Sequence, residues 1–147
     1  MLNLKMKRDA LIRELLGLKR KRRRRRADPV PAYLVPRYDR LGAALALADS
    51  PASDTQTLAA LLRAAMIDEE EDVRKAAMEA VLSLNPDVGK VVVVAASYDP
   101  DPTLRAAALE RLIAVDPPLA RAVARRLLKD GDGEVSALAR SVVSGTR

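Results

Sequence analysis

From residue 54 onward the apolar and polar positions of this chain recur with a period of 31, in three copies at 54–84, 85–115 and 116–146. Apolar sites come into line as Leu61/Val92/Val123, Leu62/Val93/Ala124 and Ala65/Ala96/Leu127 in the first half of the unit. The second half aligns Val73/Leu104/Val135, Ala76/Ala107/Leu138, Ala77/Ala108/Ala139 and Val81/Leu112/Val143. Spacings of three, four and seven or eight predict helical faces. Each copy opens on Asp54, Asn85 or Asp116, short acceptors suited to an orphan N–H of a first helical turn. Pro86 and Pro117 follow, where a missing N–H costs nothing. DEEED at 68–72, DPDP at 99–102 and DGDG at 130–133 divide the copies, with Asp101-Pro102 and Asp132-Gly133 starting a second helix. Each unit is predicted as helix, tight turn, helix. A fixed period of this size signals stacked supersecondary units.

One segment resists this pattern. Lys90–Val94, KVVVV, reads as a strand by propensity, because β-branched side chains lose rotamer freedom in a helix. The phase of the repeat places it in the first helix of the second unit. A helical Val costs only some tenths of a kcal/mol, which packing can offset.

The stretch DPDPTLRAAALERLIAVDP (99–117) resembles the second half of a HEAT repeat of the short, bacterial type. The pattern is weaker in DEEEDVRKAAMEAVLSLNP (68–86) and weaker again in DGDGEVSALARSVVSG (130–145). The resemblance, over residues 54–147, implies an i,i+4 pair of an acid with an Arg that fixes the turn, here Asp101/Arg105 and Glu70/Arg74. The third copy departs from it, with Asp132 facing Ser136. The fold it implies is all-α, a short right-handed α-solenoid of three HEAT-like hairpins. For function it implies little, since such solenoids serve scaffolds, inhibitors, lyases and nucleic-acid binders alike.

A stack of units needs atypical ends. Arg126 stands where Ala64 and Ala95 stood, and Arg140 where Met78 and Leu109 stood, so the last copy is expected to be a C-terminal cap. At the other end Tyr38–Ala48, YDRLGAALALA, predicts an amphipathic capping helix at 38–48, making the body 38–147. Residues 27–37, ADPVPAYLVPR, carry three prolines and are expected to be an extended connector.

Charge changes the picture most. Residues 1–26 hold 12 Lys/Arg against Asp9 and Glu14, a net of +10, whereas residues 27–147 hold 14 basic and 18 acidic residues, a net of −4. The concentration lies in KRKRRRRR: Lys19, Arg20, Lys21, Arg22, Arg23, Arg24, Arg25 and Arg26. Eight like charges repel and stay solvated until they meet a polyanion. Extended, the run spans about 26 Å at roughly 3.3 Å per residue, and duplex DNA offers about one charge per 1.7 Å of axis. The expected partner is nucleic acid, DNA or RNA. Without an interleaved aromatic residue the run should grip phosphates with little regard to sequence. Arg121, Arg125 and Lys129 recur at i, i+4 and i+8 and would continue this phosphate track, or simply form a solvated helix face ending in cations that suit its dipole.

Ahead of the basic run, Leu11, Ile12, Leu15, Leu16 and Leu18 form an apolar stripe at helical spacing. Residues 1–26 are thus expected to be an amphipathic helix plus a polybasic arm. The helix would dock on a partner protein or back on the solenoid; an anionic membrane surface, reinforced by the basic run, is the alternative.

The chain has no Cys and no His, which removes disulfides, thiol nucleophiles, the usual proton shuttle and the commonest metal ligands. No Gly-rich phosphate loop or metal-ligand cluster stands out, so neither catalysis, nor a cofactor, a metal or a small-molecule substrate is expected. No apolar run reaches the roughly 18 residues a membrane span needs, and the N-terminus is too charged for a secretory signal. The expectation is a cytoplasmic or virion-associated scaffold with at least one protein partner. A protein-interaction adaptor whose N-terminal helix and basic run dock on an acidic protein or an anionic membrane is the alternative.

Overall fold

The computed structural model describes residues 2–17, 37–49 and 54–146, and every regular element among them is an α-helix. The helices are α1 (Leu2–Leu15), α2 (Arg37–Ala48), α3 (Thr55–Ile67), α4 (Glu71–Leu84), α5 (Pro86–Ala96), α6 (Pro102–Val115), α7 (Pro117–Leu127) and α8 (Gly133–Ser144). The boundaries follow from local chemistry. Asp54, Asn85 and Asp116 accept from the backbone N–H of Thr57, Val88 and Leu119, and Pro86, Pro102 and Pro117 open α5, α6 and α7. Asp101 and Asp132 each accept two first-turn N–H groups of α6 and α8.

Each helix packs on its neighbour in sequence from α3 onward, and α4 bridges back to α2, α5 to α3 and α8 to α6. The shared core is aliphatic, built on Leu47, Leu61, Met78, Leu104, Leu109, Leu112 and Leu127. Lys90–Val94 lies within α5, as the repeat phase requires, with Val92 and Val93 buried. Gly89 lets α5 come down on α4: a Cβ there would stand 2.3 Å from the Leu82 Cα.

The N-terminal helix packs back on this body, one of the two dockings expected of it. α1 packs against α2 and α3. Leu15 is 2% exposed, and Leu11, Ile12 and Leu16 pack against the same core. Arg8 on α1 bonds Asp54, the cap of α3, and pairs with Asp9 at 3.1 Å. The physical reason is area: burying the Leu/Ile stripe in cis removes it from water with no loss of translational freedom.

The turns are tied across units by a recurring arginine. Arg74 on α4 forks onto Asp99 in the α5–α6 turn, Nε to Oδ2 at 2.8 Å and Nη2 to Oδ1 at 2.7 Å. Arg105 on α6 does the same to Asp130 in the α7–α8 turn, at 2.9 and 2.7 Å. Arg40 on α2 forks onto Asp68 at 3.0 and 3.2 Å. The Nη1 groups of Arg74 and Arg105 donate to two carbonyls of their own turn, Asp68 and Glu69 or Asp99 and Pro100. Each turn Asp also accepts the N–H two residues on, of Glu70, Asp101 or Asp132. This replaces the expected role of the i,i+4 pairs. The Asp101 side chain caps α6, and the Arg105 fork goes to the next unit.

Candidate nucleic-acid interface

The first helices of the three pairs, α3, α5 and α7, present in-phase outer positions. Stepping by 31 aligns Arg63/Val94/Arg125 and, at or just past the C-terminal ends, Ile67/Tyr98/Lys129; Val91 and Ala122 are also exposed, whereas Ala60, in phase with them, is buried. This face carries Arg121 and Arg125 on α7 and Lys129 in the turn just after it, all exposed, and α7 itself contains no acid. The nearby carboxylates are already committed. Asp130 holds Arg105, Asp132 caps α8, and Asp116 caps α7 while accepting from Lys90 Nζ at 3.2 Å. The Arg105 hydrogen bonds hold the Asp130 carboxyl below its ordinary range. The Leu119 N–H, with Lys90, does the same for Asp116. Arg121, Arg125 and Lys129 thus face solvent beside acids whose charge is spent on other groups.

Arg126, expected as part of an end cap, has a different task. Its Nη2 donates to the Ser97 carbonyl at 2.7 Å and to Ser97 Oγ at 2.6 Å, and its guanidinium lies 3.7 Å from the centroid of the Tyr98 ring. It therefore ties α7 to the C-terminal end of α5. Ser97 is fully buried, whereas Tyr98 is 65% exposed. Sequence reasoning missed this cluster. Its signal was a Tyr and an Arg 28 residues apart, nearly one period, which places them on adjacent units.

α5 continues the face without charge. Val91 is 69% exposed on α5, with the half-buried Val94 one turn on and the exposed Tyr98 in the turn that follows the helix. A concavity of about 500 Å³ runs between α1 and α3, lined by Ile12, Arg13, Leu16, Ala59, Ala60 and Arg63.

The polybasic run Lys19–Arg26 and Leu18 lie outside the described residues. The remaining members of the predicted docking stripe, Leu11, Ile12, Leu15 and Leu16, turn toward the chain's own core, so this face is occupied in cis. Among the described residues no cluster of acidic side chains could hold a metal, and no helix is long and apolar enough to cross a membrane.

Comparison with protein-family models, with curated proteins and with solved structures finds no match to this chain.

Proposed function

We propose that this chain is a non-enzymatic scaffold that grips the phosphate backbone of nucleic acid and offers its helical body to a protein partner. In this proposal the body is a short α-solenoid of three HEAT-like hairpins, capped at its N-terminal side by the α1–α2 pair. The 31-residue phase, the packing of next-but-one helices and the recurring Arg–Asp forks all support it. The observation that carries the function is electrostatic. A net of +10 is concentrated in the first 26 residues of a chain whose remainder is acidic. Lys19–Arg26 neutralise phosphates without reading bases, and Arg121, Arg125 and Lys129 extend the track onto the body. The chain works within a larger assembly, such as a ribonucleoprotein or a virion.

Purification from the native source with and without nuclease tests this. Nucleic acid that accompanies the chain, and leaves with its protein partners on nuclease treatment, is the expected result. A preparation free of nucleic acid at low salt, with partners retained after nuclease, would contradict it and favour a protein adaptor.

A further inference from the structure

Tyr98 is held as a platform. A solvent-facing aromatic ring normally samples several rotamers, yet here the Arg126 guanidinium lies over it at 3.7 Å while two hydrogen bonds to Ser97 fix that guanidinium. Ser97 Oγ is itself anchored, donating to the Val94 carbonyl at 2.6 Å. One face of the ring is covered, and 65% of the residue still faces water, so the other face and the edge are open. A ring fixed before binding loses little entropy when a flat partner stacks on it.

The surroundings define that partner. Along α5 the outer face is apolar at Val91 and Val94, with Lys90 turned to Asp116, and Tyr98 follows in the turn just past the helix. Alongside, α7 offers Arg121 and Arg125, about 6 Å apart along the helix axis at a rise of about 1.5 Å per residue, and Lys129 follows in the turn just after the helix. By the repeat phase Lys129 occupies the position of Tyr98 one unit on, and Arg125 that of Val94. An apolar and aromatic track therefore runs beside a cationic one.

We propose that this α5–α7 face binds single-stranded nucleic acid, with a base stacked on the open face of Tyr98 and the adjoining phosphates on Arg125 and Lys129. A duplex keeps its bases stacked on one another and offers this face only phosphates. A strand supplies both a π-face and a charged backbone to matching tracks. An acidic amphipathic helix would satisfy the charges and the valines, but has no use for a ring immobilised by a cation. The inference rests on the nucleic-acid reading above and adds to it a preference for unpaired strands.

The test is fluorescence anisotropy of the full chain with a labelled 20-mer of deoxythymidine and with a 20-bp duplex at one salt concentration. Circular dichroism melts verify that each variant is folded; Tyr98 is exposed, so its replacement forfeits only the Arg126 contact and should lower the melt slightly without unfolding the chain. Tyr98→Ala is expected to weaken strand binding by roughly five- to a hundredfold, the usual value of one base–aromatic stack, and to leave duplex binding unchanged. Tyr98→Phe keeps the π-face and should retain strand affinity. Equal strand affinity for wild type and Tyr98→Ala would overturn this inference. If replacing Lys19–Arg26 by glycine and serine still weakened binding to both nucleic acids, the broader reading would survive. Failure of the full chain to bind either would overturn both. Displacement of the strand by poly-glutamate at equal charge concentration would instead assign the face to an acidic protein.

Discussion

Arg105 and Asp130 meet fork to fork across the boundary between two helix pairs, with the carboxylate only 8% exposed and the guanidinium 16% exposed. The same guanidinium closes its own turn through the carbonyls of Asp99 and Pro100. One side chain thus fixes both the shape of a turn and the offset of the next unit.

Removing either partner should cost more than an exposed ion pair does, because it strands a largely desolvated group. Arg105→Ala and Asp130→Ala are each expected to lose about 2–3 kcal/mol in urea unfolding. Together they should cost clearly less than the sum, as coupled partners do. Arg105→Lys should recover little, since an ammonium cannot make the two parallel bonds. Additive losses would contradict this.

The pair also sets a pH dependence. The folded Asp130 carboxyl, held by Arg105, titrates below its unfolded value, ordinarily about 3.9. The unfolded chain therefore takes up this proton first as the pH falls. The stabilisation is complete above the unfolded pKa and is lost as pH drops through the folded one. Asp130→Asn is expected to lower stability at neutral pH and to flatten its decline as the pH falls below about 4. An unchanged slope in acid urea titrations would contradict the assignment.

Two glycines in helices separate packing from propensity. Gly42 in α2 has open space where a methyl group would stand, so Gly42→Ala should gain up to about 1 kcal/mol from helix propensity alone. Gly89→Ala makes the same propensity gain but drives a methyl into the Leu82 backbone, a clash expected to cost about 1–3 kcal/mol net or more. Thermal melts that stabilised both variants would show that α5 does not lie that close to α4.

The placement of α1 is checked by Leu15. Truncation to Ala should destabilise the whole body by about 2–4 kcal/mol, as for other buried leucines. A helix that merely trailed from the body would leave the unfolding transition where it was.

Much of the helical order was legible in the sequence because caps, prolines and apolar phase agree at the same positions in successive copies. The valine run shows the limit of local propensity: Val92 and Val93 are held in α5 by burial that only the neighbouring units supply. The forks were illegible to a comparison of like with like. Arg74 and Asp99, or Arg105 and Asp130, lie 25 residues apart, so they emerge only when opposite charges are matched at slightly less than one period. The Arg126–Tyr98 contact escaped for the same reason. The destination of the Leu11–Leu16 stripe was undecidable from its pattern, because a helix face has the same sequence whether its cover is its own chain or another. The candidate interface was legible only as cations on and just after α7; its aromatic component required seeing that Tyr98, just past α5, faces water.

The central claim is tested most directly by the salt dependence of duplex binding, with Lys19–Arg26 intact and replaced by glycine and serine. With the tract intact, log K should fall against log salt with a slope of about −0.9 for each phosphate neutralised, and the replacement should abolish most of that slope. The same slope and affinity in both proteins would contradict the account.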